Sequence, residues 1–145
     1  MTDIAAAVRA SRRGPHPIEL VLIDYLQLLT PPSGTSENRQ TEVAAISRSL
    51  KRLAIEEQVA VIAASQLNRA SEARAERRPT LADLRESGQL EADSDAVILL
   101  HRGAELPQSL YLIVAKNRHG RIGEVSTLAM YDRSTLTSLT APVRR

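Results

Sequence analysis

Cysteine, phenylalanine and tryptophan are absent from the 145 residues, and only three tyrosines occur. Without cysteine there is neither a disulfide framework nor a thiolate metal site, which argues against a small secreted scaffold. Hydrophobic residues make up 43% of the chain and aromatics only 2%, so any core must be built from Leu, Ile, Val and Ala. His16, His101 and His119 are too scattered for a zinc site. No apolar run approaches a membrane span, and Met1 to Arg13 lacks the apolar centre of a signal peptide, so a cytoplasmic chain with no membrane partner is expected. The formal net charge of +2 is too small to advertise nucleic-acid binding, so any such surface must be local. The length suits one domain, or part of one, with a real core.

What is present reads as alternating strands and helices. Thr2 to Ala10 predicts a short helix with Thr2 or Asp3 as N-cap and Arg9, Arg12 and Arg13 near its end. Gly14-Pro15-His16-Pro17 breaks it. Ile18 to Asp24 then reads as a buried strand, apolar on both faces. Pro31 to Glu37 is a loop by composition. Val43, Ile46, Leu50 and Leu53 recur at helical spacing, predicting an amphipathic helix from about Asn38 to Gln58 with Arg48, Lys51 and Arg52 outside. Val59 to Ala64 is a second strand. Strand, helix and strand at these lengths form a right-handed parallel crossover. Asn68 to Arg78, with Arg69, Glu72, Arg74, Arg77 and Arg78 in or beside it, suggests a mobile surface loop. Thr80 to Arg85 reads as one helical turn. Ala96 to Leu100 is a third buried strand and Ser109 to Ala115 a fourth. Glu124 to Tyr131 and Thr135 to Leu139 read as alternating edge strands joined at Asp132-Arg133. The fold class is α/β, with a mainly parallel sheet and an antiparallel C-terminal hairpin. In domain terms, residues 1–17 form a leading helix and linker, 18–139 the sheet core, and 140–145 a tail.

Chemistry concentrates at three places. Asp24 ends an aliphatic run, and a buried parallel strand tolerates an ionised group only at its carboxyl end, where α/β sheets bind ligands. Such an aspartate can hold magnesium through water beside a nucleotide phosphate; the plainer alternative is that it caps a turn. Gln66 ends the second strand at the same rim. A neutral amide there can bond a γ-phosphate or an attacking water, or merely satisfy loop backbone. Arg85-Glu86-Ser87-Gly88 is turn-like, with a glycine that admits a ligand close to the backbone. Lys116-Asn117-Arg118-His119-Gly120 is a basic turn, either a solvated hairpin tip or a cationic clamp for transferring phosphate.

Four segments, ELVLIDYLQLL, NRQTEVAAISRSLKRLAIEEQVAVIAASQLNR, LADLRESGQLEADSDAVILLHR and VAKNRHGRIGEV, arrive in the order and at the spacing of replicative DNA helicases of the DnaB type. The chain resembles that family from about Ile18 to Val125. The resemblance implies a partial RecA-like fold with ATP and Mg2+ as cofactors, acting on single-stranded DNA as a homo-hexamer or with intact helicase subunits. It implies that Asp24 is the Walker B aspartate that helps hold magnesium. Gln66 corresponds to the glutamine linking the γ-phosphate to the DNA-facing loops. Arg85, Glu86 and Gly88 fall in the segment that follows the DNA backbone. Lys116 and Arg118 match the basic pair that enters a neighbour's ATP site, Arg118 as arginine finger. Few aromatics agree with a grip on phosphates rather than on bases.

The departures set a second reading. No G-x-x-x-x-G-K-[ST] phosphate loop occurs in the sequence, and Tyr25 rather than a glutamate follows Asp24. In this family the catalytic glutamate lies on an earlier strand. Arg102-Gly103-Ala104 stands where acidic residues are usual. The chain thus reads as the C-terminal half of a motor domain, without the family's N-terminal primase-interacting domain. The alternatives are a non-catalytic remnant or interaction module, and a different RecA-like ATPase such as a recombinase relative or a clock-type ATPase.

Overall fold

The computed structural model describes residues 1–31, 38–68, 78–103 and 106–139, without the side chains of 85–87. Most of the loop 31–37, most of the charged stretch after Asn68, and the tail 140–145 therefore lie outside the described residues. The chain divides into two compact units, one of Met1–Asn68 with Ala82–Ser94 and one of Arg69–Leu81 with Asp95–Arg145.

In the first unit, β1 (Leu20–Ile23) and β2 (Ala60–Ala63) pair in parallel, from Leu20 opposite Ala60 to Ile23 opposite Ala63. They are joined by α2 (Arg39–Glu57). The helix starts where the Asn38 side chain accepts the Gln40 N–H at 2.9 Å, satisfying a donor that the helix itself cannot. It stops at Gln58, whose φ of 51° is left-handed. All four apolar positions expected on its inner stripe are buried. Ile46 and Leu50 cluster with Ile23 and Leu26, while Leu53 clusters with Val8 and Val59.

The first helix, α1 (Thr2–Arg12), lies against α2. Its N-cap position is Met1, with no side-chain cap, so the expected role for Thr2 or Asp3 does not hold. Arg9 reaches α2 instead, 2.7 Å from Glu57 and 3.2 Å from Glu56. The bond to Glu57 is the main reason its pKa rises. A short helix, α3 (Gly88–Asp93), was not apparent from the residues. Asp93 ties it to α2 by accepting the Ser47 hydroxyl at 2.7 Å, and within α3 it accepts the Gln89 amide at 2.7 Å.

One expectation about β1 needs correction. The strand is apolar on both faces but only one is covered: Ile23 is 8% exposed, whereas Leu22 is 69% exposed. Leu20 and Ile62 share that open side of the pair, because alternate strand residues point to the same face.

The second unit is a four-stranded antiparallel sheet in the order β3 (Ala96–Arg102), β4 (Ser109–Asn117), β5 (Gly123–Met130) and β6 (Thr135–Ser138). The α/β class stands, but the balance differs from expectation. Among the described residues parallel pairing is that of β1 with β2, and the antiparallel C-terminal hairpin, β5 with β6, is part of a four-stranded meander. Ala96 to Leu100 does form a strand, yet Ile98 and Leu100 are exposed, so it is buried on one side only. β5 is interior, flanked by β4 and β6, not an edge.

Ile46 is fully enclosed. Replacing it with alanine removes buried methyl groups and leaves a void, so Ile46→Ala is expected to lower unfolding free energy by about 2–5 kcal/mol. Urea denaturation followed by far-UV circular dichroism measures it. A change below about 1 kcal/mol would show that α2 is not seated on the sheet.

Candidate functional site

The end of β1 is held from both sides. Ile23 is buried, and its carbonyl accepts the Ala64 N–H at 2.9 Å. Three residues later Leu26, only 3% exposed, donates its own N–H to the Ala64 carbonyl at 2.9 Å. Asp24 lies between these anchors, exposed, and is joined to Tyr25 by a cis peptide bond. The 3₁₀ turn that follows, Leu26–Leu28, has Tyr25 at its cap position with no side-chain bond, and α2 is capped by Asn38. Asp24 therefore caps neither of the helical segments that follow it.

Gln66 leaves β2 at the same end of the pair, as the parallel register requires. Its main chain is held by a residue that reading the sequence missed. The Gln27 carboxamide accepts the Gln66 N–H at 3.3 Å and donates to the Ser65 hydroxyl at 3.1 Å and the Gln66 carbonyl at 3.4 Å. Gln27 in turn accepts Arg39 at its own carbonyl. A carboxamide inside an otherwise aliphatic run was the available signal. Beyond Gln66, the Asn68 N–H donates to the Asp83 carbonyl at 3.0 Å.

Asp83 belongs to the 3₁₀ segment Leu81–Ser87 that carries Arg85 and Glu86. The side chains of Arg85 and Glu86 lie outside the described residues. Gly88 is exposed, and an added Cβ would meet no described heavy atom within 4 Å, so packing inside the chain does not demand glycine there.

Lys116 and Arg118 belong to the second unit. A bulge between Val97 and Ile98 shifts the β3–β4 register just before Lys116, the kind of irregularity that re-aims side chains at a strand end. Arg118 follows the strand and is exposed. Its guanidinium donates to the Asp95 carboxylate at 3.0 Å, and its N–H donates to the Asp95 carbonyl at 2.8 Å. The Asn117 side chain closes the turn, accepting the His119 N–H at 3.3 Å and donating to the Arg121 carbonyl at 3.4 Å. A Cβ on Gly120 would sit 2.6 Å from the Asn117 amide nitrogen, so glycine is required for that closure. Arg102, whose setting departs from the family pattern, lies 5.0 Å from the Tyr131 ring centre, a cation–π distance.

Among the described residues no group of three His, Cys, Asp or Glu side chains could cage a metal. A lone exposed carboxylate suits a different arrangement: a magnesium ion that keeps its waters, is coordinated chiefly by phosphates and is steadied by one acid. The residues present fit that edge of a nucleotide site. The phosphate cradle itself is not in this sequence. No helix among the described residues is long and apolar enough to cross a membrane.

Comparison with known proteins bears on the family and the fold. Residues 1–136 match the DnaB-like helicase C terminal domain family. The replicative DNA helicase DnaB of Geobacillus stearothermophilus is 43% identical over 145 residues, covering 96% of this chain and 32% of its own. That of Leifsonia xyli subsp. xyli is 48% identical over 124 residues, covering 80% of this chain and 27% of its own. A solved ATPase domain has a TM-score of 0.88 at 39% identity, over 96% of this chain and 51% of that one. A DnaB-like replicative helicase, solved in a study of its interactions with primase, gives 0.82 at 41% identity, over 90% of this chain and 33% of its own. The chain thus spans about a third or less of the curated relatives it matches and about half of the ATPase domain.

Proposed function

Since the chain belongs to the DnaB-like helicase C-terminal domain family, we propose that it forms part of a replicative helicase motor. That motor couples ATP hydrolysis to unwinding of duplex DNA and to translocation on one strand within a hexameric ring. The observation that carries the reading is the delivery of Asp24 and Gln66 to one end of the β1–β2 pair. In this reading Asp24 would help hold a magnesium ion beside the phosphates, and Gln66 would bond the γ-phosphate or the attacking water without adding negative charge. Bound magnesium and ATP supply the charge-neutralised phosphoryl group that is transferred. Lys116 and Arg118 stabilise the charge developing in a neighbouring subunit's site, where a planar guanidinium can take two phosphate oxygens at once.

DNA contact falls to the segment from Arg85 to Gly88. Gly88 is exposed, and among the described residues no heavy atom lies within 4 Å of a Cβ added there. If Arg85 neutralises one phosphate, Arg85→Ala should reduce the slope of log affinity against log salt by about 0.7 for a single strand. Fluorescence anisotropy with a labelled oligothymidylate across a salt series measures this, and an unchanged slope would remove Arg85 from the interface.

The test of the whole reading is co-expression of this chain with a polypeptide carrying the phosphate loop, followed by an assay of DNA-stimulated ATP turnover. The chain alone is expected to show none, because most backbone donors to the phosphates and their lysine are missing from it. Turnover by the purified chain, abolished by Asp24→Asn, would overturn that expectation. The open face bearing Leu20, Leu22 and Ile62 favours a second reading, a non-catalytic module that joins helicase rings. Failure to co-purify with an intact relative would count against it.

A further inference from the structure

The end of β1 and the end of β2 are connected by one side chain, and it is neither Asp24 nor Gln66. Gln27 lies one residue past buried Leu26 in the 3₁₀ turn, with its carboxamide against the Ser65–Gln66 peptide. Three of its bonds go to that short stretch: one accepted from the Gln66 N–H, one donated to the Ser65 hydroxyl and one donated to the Gln66 carbonyl. Arg39, at the first turn of α2, fixes the Gln27 carbonyl from behind. Here Gln27 occupies both backbone groups of Gln66, while Gln66 itself remains exposed.

We propose that Gln27 is a positioning residue that clasps the main chain of Gln66 to the β1 end. Through it, a displacement at Asp24 reaches Gln66 and then, by the Asn68–Asp83 bond, the segment bearing Arg85. The proposal rests on the nucleotide-sensing reading of Gln66 and adds the part that makes such sensing possible. A carboxamide tethered to β1 and to the β2 exit converts two loops into one body. Without it, the bonds described between β1 and the β2 exit are the backbone pair at Ala64, two residues before Gln66, which leaves Gln66 freer to move relative to Asp24. A contiguous set of bonds is not itself coupling, so the test must read both the clasp and its consequence.

The clasp is read in the full 145-residue chain by amide hydrogen exchange at single-residue resolution. Gln27→Met fills the same space but forms no hydrogen bond, and Gln27→Glu keeps an acceptor for the Gln66 N–H. Exchange at Gln66 is expected to speed up roughly tenfold in Gln27→Met, as for loss of one ordinary hydrogen bond. It should stay near its original rate in Gln27→Glu, with Leu22 and Ile62 amides unchanged in both. Equal protection of Gln66 in Gln27→Met, or loss spread evenly over β1 and β2, would overturn the clasp.

The consequence is read in the co-expressed motor. Gln27→Met should lower DNA-stimulated kcat as far as Gln66→Ala does, leaving KM for ATP within about twofold, since uniform substrate binding is untouched. If Gln66→Ala is impaired and Gln27→Met is not, the positioning role is wrong. If Gln66→Ala is itself silent while the exchange result holds, the reading of Gln66 fails and the clasp survives.

Discussion

Arg118→Ala is expected to reduce DNA-stimulated ATP turnover of the assembled motor by roughly 10³-fold or more, the usual effect of removing an arginine finger. The size follows from where the charge acts. Phosphoryl transfer needs little covalent chemistry from the protein, so positioned positive charge at the transferring oxygens supplies much of the rate. The turn that presents Arg118 is built for position: Asn117 closes it, Gly120 makes room for that closure, and Asp95 holds both the backbone and the guanidinium of Arg118. Both partners of the Arg118–Asp95 pair are about half exposed, at 45% and 52%, so the pair contributes little to stability. Arg118→Ala should therefore leave the melting temperature within a degree or two while activity collapses. Arg118→Lys keeps the charge but not the planar fork, and should recover only a small part of the rate. Single-turnover ATP hydrolysis by the wild type and both variants measures this. Retained turnover in Arg118→Ala would end its assignment.

Asp24→Asn carries the second large effect. Replacing the carboxylate with a neutral amide of the same shape removes the charge proposed to steady a metal ion but keeps the packing of Ile23 and Leu26. Loss of the metal's alignment is worth several kcal/mol, or roughly 10²–10³-fold in rate. The variant should need more magnesium for half-maximal turnover, while its affinity for single-stranded DNA at fixed salt stays unchanged. A magnesium titration of ATP turnover in the co-expressed motor separates the two properties. An unshifted magnesium midpoint would place Asp24 outside the metal site.

Some of this was legible in the residues and some was not, for physical reasons. α2 was readable almost to its ends because its apolar stripe at period 3.6 runs nearly the whole way, and the structure places the Asn38 cap and the left-handed Gln58 at the expected bounds. The strands carrying Asp24 and Gln66 were readable because aliphatic runs that stop at a polar residue mark a strand and its rim together. Pairing direction was not readable for β3. An apolar run fits a parallel or an antiparallel neighbour equally well, and only the register with β4 decides. α3 escaped because six residues are too few to show a period, and its anchor is the long-range bond from Ser47 to Asp93. Asp95 and Gln27 escaped for a related reason: each acts by contacting a residue more than twenty positions away. The family's residue pattern proposes groups that would touch ligand, but is silent on those that hold them in place.

Leu22 and Ile62 show the opposite case. Their residue types predicted burial, and the open side of the β1–β2 pair leaves them at 69% and 60% exposure.

The most direct test of the account is a mixing experiment between two variants, each co-expressed with the phosphate-loop half and each inactive by itself. Asp24→Asn protomers keep a working Arg118, and Arg118→Ala protomers keep a working Asp24. If each site draws its acid from one subunit and its guanidinium from the next, mixed rings regain activity at about a quarter of their interfaces, as expected for random head-to-tail assembly. Recovery of roughly that share of wild-type turnover supports a motor whose sites are shared between neighbours. If the mixed rings stay as inactive as either variant alone, Asp24 and Arg118 do not meet across a subunit boundary, and the account is wrong.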